Sequence, residues 1–174
     1  LKAKEFGIDL ENEQKTVGEI LEKILKLEHK GYQFEAADAS FELLVRDITK
    51  TKKEYFTFES FRILNEKKES GEVLSEATVK ISINSQRIIE TAEGFGPVNA
   101  LDIALRNALM KFYPGLEKIT LTDFKVRVLD EKKGTRAIVR VLIESTDGEK
   151  SWGTIGVSEN IIEASWEALT DSII

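Results

Sequence analysis

Cysteine is absent from the 174 residues, histidine and methionine occur once each, and proline twice. Without cysteine there is no disulfide and no thiolate chemistry, which fits a cytoplasmic setting. A lone His29 cannot seed a zinc site without several carboxylates, and it cannot serve a nucleophilic triad far from any strained serine turn. It reads as a surface residue near a helix end, where the dipole favours it. No apolar run approaches a membrane span, and no secretory pattern opens the chain. Basic residues number 25 against 31 acidic ones, for a net charge of −6. That balance disfavours nucleic acid or an anionic membrane as partner. The one tight basic cluster, Lys50, Lys52 and Lys53, reads as a solvated loop. Walker and Rossmann fingerprints are missing. What remains is a chain with 41% apolar and 32% charged residues, the balance of a soluble globular protein large enough to build a core.

The opening Leu1 to Gly7 reads as the last turns of a helix that began earlier, so a cut point within a longer protein is expected. Asp9, Glu11 and Glu13 read as a solvated loop. Residues 1–50 form a helical subdomain in this reading, with two helices between 13 and 50. Thr16-Val17-Gly18-Glu19 has the spacing of a capping box. Val17, Ile20, Leu21, Ile24 and Leu27 then share a helical face, and Gly31 suits the left-handed position that closes a helix. The second helix is placed at about 36–48, with Phe41, Leu44, Val45 and Ile48 on one side. Such a hairpin buries little alone and is expected to dock on a barrel or a partner subunit.

At residues 49–53 the apolar pattern changes from helical to alternating, and a second region is placed at 51–174. It contains an internal repeat. Strands at about 54–67, 73–83 and 86–93 precede a helix at 97–113. Strands at about 117–131, 135–145 and 150–157 precede a helix at 159–171. The fold class is therefore α+β: a helical hairpin, then a duplicated βββα unit (54–113 and 117–171) with expected pseudo-twofold symmetry. Val79, Ile81 and Ile83 match Val139, Val141 and Ile143, and Gly96, Leu101, Ala104, Ala108 and Leu109 match Gly156, Ile161, Ala164, Ala168 and Leu169. Apolar parity shifts within both opening strands, which predicts bulges near Glu59-Ser60 and Thr122-Asp123. The strand at 135–145 is apolar on both faces, so a cover on both is expected. The other repeat or another subunit would supply the second.

The best candidate for binding is the turn Glu93-Gly94-Phe95-Gly96-Pro97. Its glycines let backbone approach a ligand, Pro97 fits a first helical position, and free amides at a helix start can hold a carboxylate. A plain strand-to-helix turn explains it equally well. The matched turn, Gly156 to Asn160, offers Ser158 as a cap. Leu121, Phe124, Val128, Ala137 and Val139 would wall a pocket, or simply pack as core.

These residues resemble a known family. Gly94-Phe95-Gly96-Pro97-Val98-Asn99-Ala100-Leu101-Asp102 is similar to the glycine-proline turn in the regulatory domain of the isopropylmalate synthase and citramalate synthase family. Gly31-Tyr32-Gln33-Phe34-Glu35-Ala36-Ala37-Asp38-Ala39-Ser40-Phe41-Glu42 resembles the linker of its bacterial citramalate-forming branch, and Ser151-Trp152-Gly153-Thr154-Ile155-Gly156-Val157-Ser158 through Leu169 agrees. The resemblance implies an acyltransferase parent, condensing acetyl-CoA with a 2-oxo acid on a barrel that uses a divalent metal. This chain would be its non-catalytic regulatory and dimerisation part, without a cofactor of its own. It implies a homodimer and feedback inhibition by isoleucine, or by leucine in the isopropylmalate branch. Effector contacts would fall on Gly94, Gly96, Pro97, Val98, Asn99, Leu121, Phe124, Val128, Ala137 and Val139, with Ile155 and Val157 closing the pocket. Asn99 stands where the family's turn has Asp. His29 and Tyr32 would be accessory to the partner's active site. A structural dimerisation module without effector is a reading of another class, and a free-standing acyltransferase a third.

Overall fold

The computed structural model describes residues 4, 7 and 13–174. The expected helix end before Gly7 and the loop acids Asp9 and Glu11 lie largely outside them. The chain folds as two compact units, Leu1–Lys53 with Leu121–Ile174, and Glu54–Thr120. Among the described residues, no helix is long and apolar enough to cross a membrane.

Helix α1 spans Gln14–His29. It starts ahead of the expected capping box: Glu13 is the cap residue, and the Val17 amide already donates to its carbonyl at 3.0 Å. Gln14 and Lys15 are good helix formers and extend the helix past Thr16. At the other end Gly31 adopts φ +108°, and the Gly31 and Tyr32 amides donate to the Glu28 and Leu27 carbonyls. That pair of bonds is the Schellman closure, which a residue with a Cβ resists. Helix α2, Asp38–Ile48, follows a short 3-10 turn at Phe34–Ala36. Ile20 and Val45 pack with Val17, Ile24, Phe41 and Ile48 into an apolar cluster of the hairpin's own. Leu21, placed by sequence on that face, is 54% exposed.

In the unit 54–120, strands β1 (Thr57–Lys67), β2 (Val73–Ile83) and β3 (Gln86–Gly94) pair antiparallel in chain order, followed by helix α3 (Pro97–Met110). The β1–β2 register shifts between Phe58 and Ser60. The expected bulge is there, and it keeps Phe58, Phe61 and Ile63 opposite Ile81, Val79 and Ala77. On β2, buried Ser75, Ala77, Val79, Ile81 and Ile83 alternate with more open polar residues. α3 covers the buried face with Ala100, Leu101, Ala104, Leu105, Ala108 and Leu109. The other face is solvated: Thr78 and Thr91 share a hydroxyl hydrogen bond of 2.9 Å, and Arg87 grips Glu59 with two bonds. An antiparallel sheet tolerates such one-sided cover.

In the other unit, β4 (Thr120–Val128), β5 (Val139–Thr146) and β6 (Ser151–Ser158) form a sheet in that order, followed by helix α4 (Ile161–Ile173). Val141 stands opposite Gly156 and Ile143 opposite Thr154, and this face meets α4: a Cβ on Gly156 would overlap the Ala164 carbonyl, and the Thr154 hydroxyl donates to Ala168 O. The opposite face carries Arg140, Leu142, Gly153, Ile155 and Val157. A Cβ on Gly153 would overlap the Ala36 carbonyl, and Arg140 donates to Gly31 O at 2.6 Å. The second cover of β5 and β6 is therefore the chain's own segment from Gly31 into α2, where a repeat or another subunit was expected. Small residues at Gly153, Ala36 and Ala37 let the backbones close in.

The repeat holds, but in another register. Gly96 and Asn160 are the two helix caps, so Ala100 answers to Ala164, Ala104 to Ala168 and Leu105 to Leu169. Opposite Ser75 stands Gly94, and opposite Val139 stands Ser158, which sets the strands likewise. The sequence match of Gly96 with Gly156 was four residues off. Four residues is close to one helical turn and an even step along a strand, so apolar periodicity accepts either register. The caps decide it.

Candidate functional site

The glycine turn is held by its own residues. A Cβ on Gly94 would come within 2.5 Å of the Ala100 amide nitrogen, so only glycine lets the strand end this close to the helix. The Asn99 Oδ1 accepts from the Phe95 amide at 3.0 Å, a task that needs an acceptor but no charge. Gly96, fully extended as the cap of α3, has open space where a Cβ would point, and Pro97 opens the helix. Val98 is half-buried, and Phe95 stands wholly in solvent. The turn before α4 works differently. The Asn160 Oδ1 accepts from the Ile162 and Glu163 amides, and the Ser158 hydroxyl accepts from the Asn160 amide. Asn160 is therefore the cap in place of the expected Ser158, because α4 begins two residues later than the sequence pattern placed it.

Of the apolar candidates, Leu121 is half-buried, while Phe124 and Val128 remain 37% and 46% exposed on the edge strand β4. Ala137 is buried just before β5, and Val139 is half-buried on the α4 side of the sheet. Ile155 is fully buried and Val157 partly so, on the opposite face, against the Gly31–α2 segment. These two do not share a face with Val139. Gly94 to Asn99 belong to one compact unit, and the other candidates to the second. His29 is exposed. The Tyr32 hydroxyl donates to Glu167 at 2.5 Å.

A cavity of about 310 Å³ lies on the helical-segment side of the second sheet. Leu142, Gly153 and Ala36 help to line it. Its rim carries Glu35, Asp38, Asp123 and Glu144, with Lys125 paired to Asp123. Because Asp123 and Lys125 face this cavity, Phe124 points to the other side of β4.

Sequence reasoning missed a polar seam beside this cavity. β6 is an edge strand, and the amides of Gly153, Ile155 and Val157 are each taken by a side chain: Asp38 at 2.8 Å, Ser40 at 3.1 Å and Glu167 at 3.1 Å. Ser40 also donates to Asp171 at 2.6 Å. Burial pushes the Asp171 carboxyl above its usual range, partly opposed by the Ser40 bond and by Lys52. Burial also raises Glu167, against the bonds from Tyr32 and Val157. Burial and the bond to Glu167 raise the Tyr32 phenol. The acids Glu167 and Asp171, one turn apart among the small and apolar residues by which α4 packs, were the available signal.

Among the described residues no group of three His, Cys, Asp or Glu side chains could hold a metal ion. Comparison with known proteins agrees with the fold. Residues 35–173 match the family described as LeuA allosteric (dimerisation) domain. The chain is 49% identical to the (R)-citramalate synthase of Aquifex aeolicus and 50% identical to that of Geobacter sulfurreducens, over 99% of its own length in both cases. It is 31% identical to the 2-isopropylmalate synthase of Pseudoalteromonas atlantica, over 64% of its length and 20% of that protein. The chain spans about a third of the length of the first two relatives, 33% of each. By its fold, its repeated βββα units and this match, the chain belongs to the LeuA allosteric (dimerisation) domain family.

Proposed function

We propose that the chain is the regulatory and dimerisation part of a citramalate synthase, which joins acetyl-CoA to pyruvate, and that it binds isoleucine to impose feedback inhibition. The observation that carries this reading is the near-50% identity over almost the whole chain to relatives bearing that name, against the lower and shorter match to the 2-isopropylmalate synthase. The partner would be a second copy of the chain, and catalysis would belong to a barrel outside these residues.

The effector's contacts are proposed at Gly94, Gly96, Pro97, Val98 and Asn99, with apolar contacts from Leu121, Phe124, Val128, Ala137 and Val139. Open space at the Gly96 cap supports backbone approach by a carboxylate, which the amides of a helix start attract. The exposure of Phe124 and Val128 supports an apolar wall that another molecule completes. Ile155 and Val157 would act behind this wall, through the sheet. Inhibition requires that isoleucine bind one arrangement better than another, with a coupling of about 1–3 kcal/mol. Leucine is an isomer, so shape must separate the two, and a methylene's worth of contact gives about 1–3 kcal/mol.

Calorimetry of the chain with each amino acid, paired with sedimentation, tests this. Isoleucine is expected to bind at least about tenfold more tightly, a difference of about 1.4 kcal/mol. Leucine binding with silent isoleucine would replace the reading with a leucine sensor. A stable dimer giving no heat with either would make the chain a structural module.

A further inference from the structure

The hairpin and the second sheet are joined by an unusual seam. The hairpin's apolar residues, Ile20, Val45 and their neighbours, form a cluster of their own. Where the Gly31–α2 segment meets β6, small residues let the backbones approach, buried Ile155 packs beneath, and side-chain hydrogen bonds hold the strand's edge. Among the described residues no strand pairs with the outer edge of β6. Its outward amides, at Gly153, Ile155 and Val157, are held by Asp38, Ser40 and Glu167. Tyr32 and Asp171 brace the last two of these acceptors. An open strand edge has to be blunted or covered, and a cover that bonds to the edge through side chains can open without breaking the strand pairing behind it.

We propose that the Tyr32–Ser40 segment is a latch on the edge of β6, closed by the linked pairs Ser40–Asp171 and Tyr32–Glu167, and that it opens as one unit while β5 and β6 stay paired. The Gly153 and Ile155 amides, held by Asp38 and Ser40 of the segment, then become free together, while Val157 keeps its bond to Glu167 of α4. The elevated Glu167 and Asp171 carboxyls agree with this, since two buried acids make closure less than fully favourable at neutral pH. The latch gives the proposed regulation a route from sheet to helices. That use rests on the regulatory reading, whereas the latch rests on this geometry and its test needs no effector.

The test is amide hydrogen exchange, residue by residue, on the 174-residue chain. Ser40→Ala removes the bond to the Ile155 amide directly, so the informative amide is Gly153, whose own acceptor Asp38 is untouched. The latch predicts that Gly153 exchanges at least about tenfold faster, with the inward amides of Trp152, Thr154 and Gly156 unchanged. Acceleration at Ile155 alone would show that the Asp38 and Ser40 bonds break independently and overturn the proposal. Equal acceleration of inward and outward amides would overturn it too, because the sheet would then open with the segment. Tyr32→Phe gives the same test from the other end, read at Gly153 and Ile155, should Ser40→Ala fail to fold.

Discussion

The two βββα units use one topology for two environments. In the first, the strand positions Thr78 and Thr91 face water and bond to each other. In the second, the corresponding positions are Leu142 and Ile155, paired across β5 and β6 under the Gly31–α2 segment. Behind them, Ala92 sits where the second unit has Gly156, because α4 lies so close to β6 that a Cβ would strike the Ala164 carbonyl. The first sheet is sealed on one face and needs only alternation. The second is sealed on both, and the second seal is a segment distant in sequence. The lesson is that a repeat preserves topology and parity, while the burden on each position follows what covers it.

The comparison can be broken most forcefully at the paired positions. Ile155→Ala should lower unfolding free energy by about 3 kcal/mol, the usual cost of emptying a buried aliphatic site. Thr91→Ala, at the matching position, should cost under about 1 kcal/mol. Urea unfolding of the two variants checks this, and equal losses would end the distinction. Gly156→Ala should cost about 2 kcal/mol through overpacking against α4, read in the same way.

The units should also differ in their response to pH. Glu167 and Asp171 have folded values raised by burial, so the folded state holds their protons longer. Their contribution to stability is fully present below the ordinary carboxylate range and is lost as pH rises through the raised folded values. In the first unit, the Arg87 hydrogen bond holds Glu59 low; that small contribution is present above the ordinary range and lost as pH falls through the lowered value. Asp171→Asn keeps an acceptor for Ser40 and removes the charge. It should raise stability at neutral pH and flatten the acid-side gain, measured as urea midpoints across pH. The smallest effect on stability is expected at Phe124. Already 37% exposed, it should cost under about 1 kcal/mol on conversion to Ala, while weakening isoleucine binding about tenfold by calorimetry.

Much of this fold was legible in the chain. The element order followed from apolar period and turn residues, the first bulge from the parity change after Phe58, and the end of α1 from Gly31. The register of the repeat was not legible, because a four-residue slip leaves both helical face and strand parity intact. Nor was the second seal. Leu142, on a strand apolar on both faces, announced that something covers it, but only the small residues Ala36, Ala37 and Gly153 say what, and small residues carry no periodic signal. The seam acids Glu167 and Asp171 were hidden for the opposite reason: a charged residue on a helix is ordinarily assigned to water. For the proposed effector residues, sequence could nominate the Gly94–Asn99 turn and the β4 wall, but it could not show that Ile155 and Val157 face away from Val139.

An isoleucine titration of the chain followed by amide chemical shifts tests the central claim most directly. The account predicts saturable shifts at Gly94 to Asn99 and along Leu121 to Val128, with Thr78 and its solvated neighbours still. Shifts confined to the Glu35, Leu142 and Gly153 cavity, or none at saturating isoleucine, would contradict it.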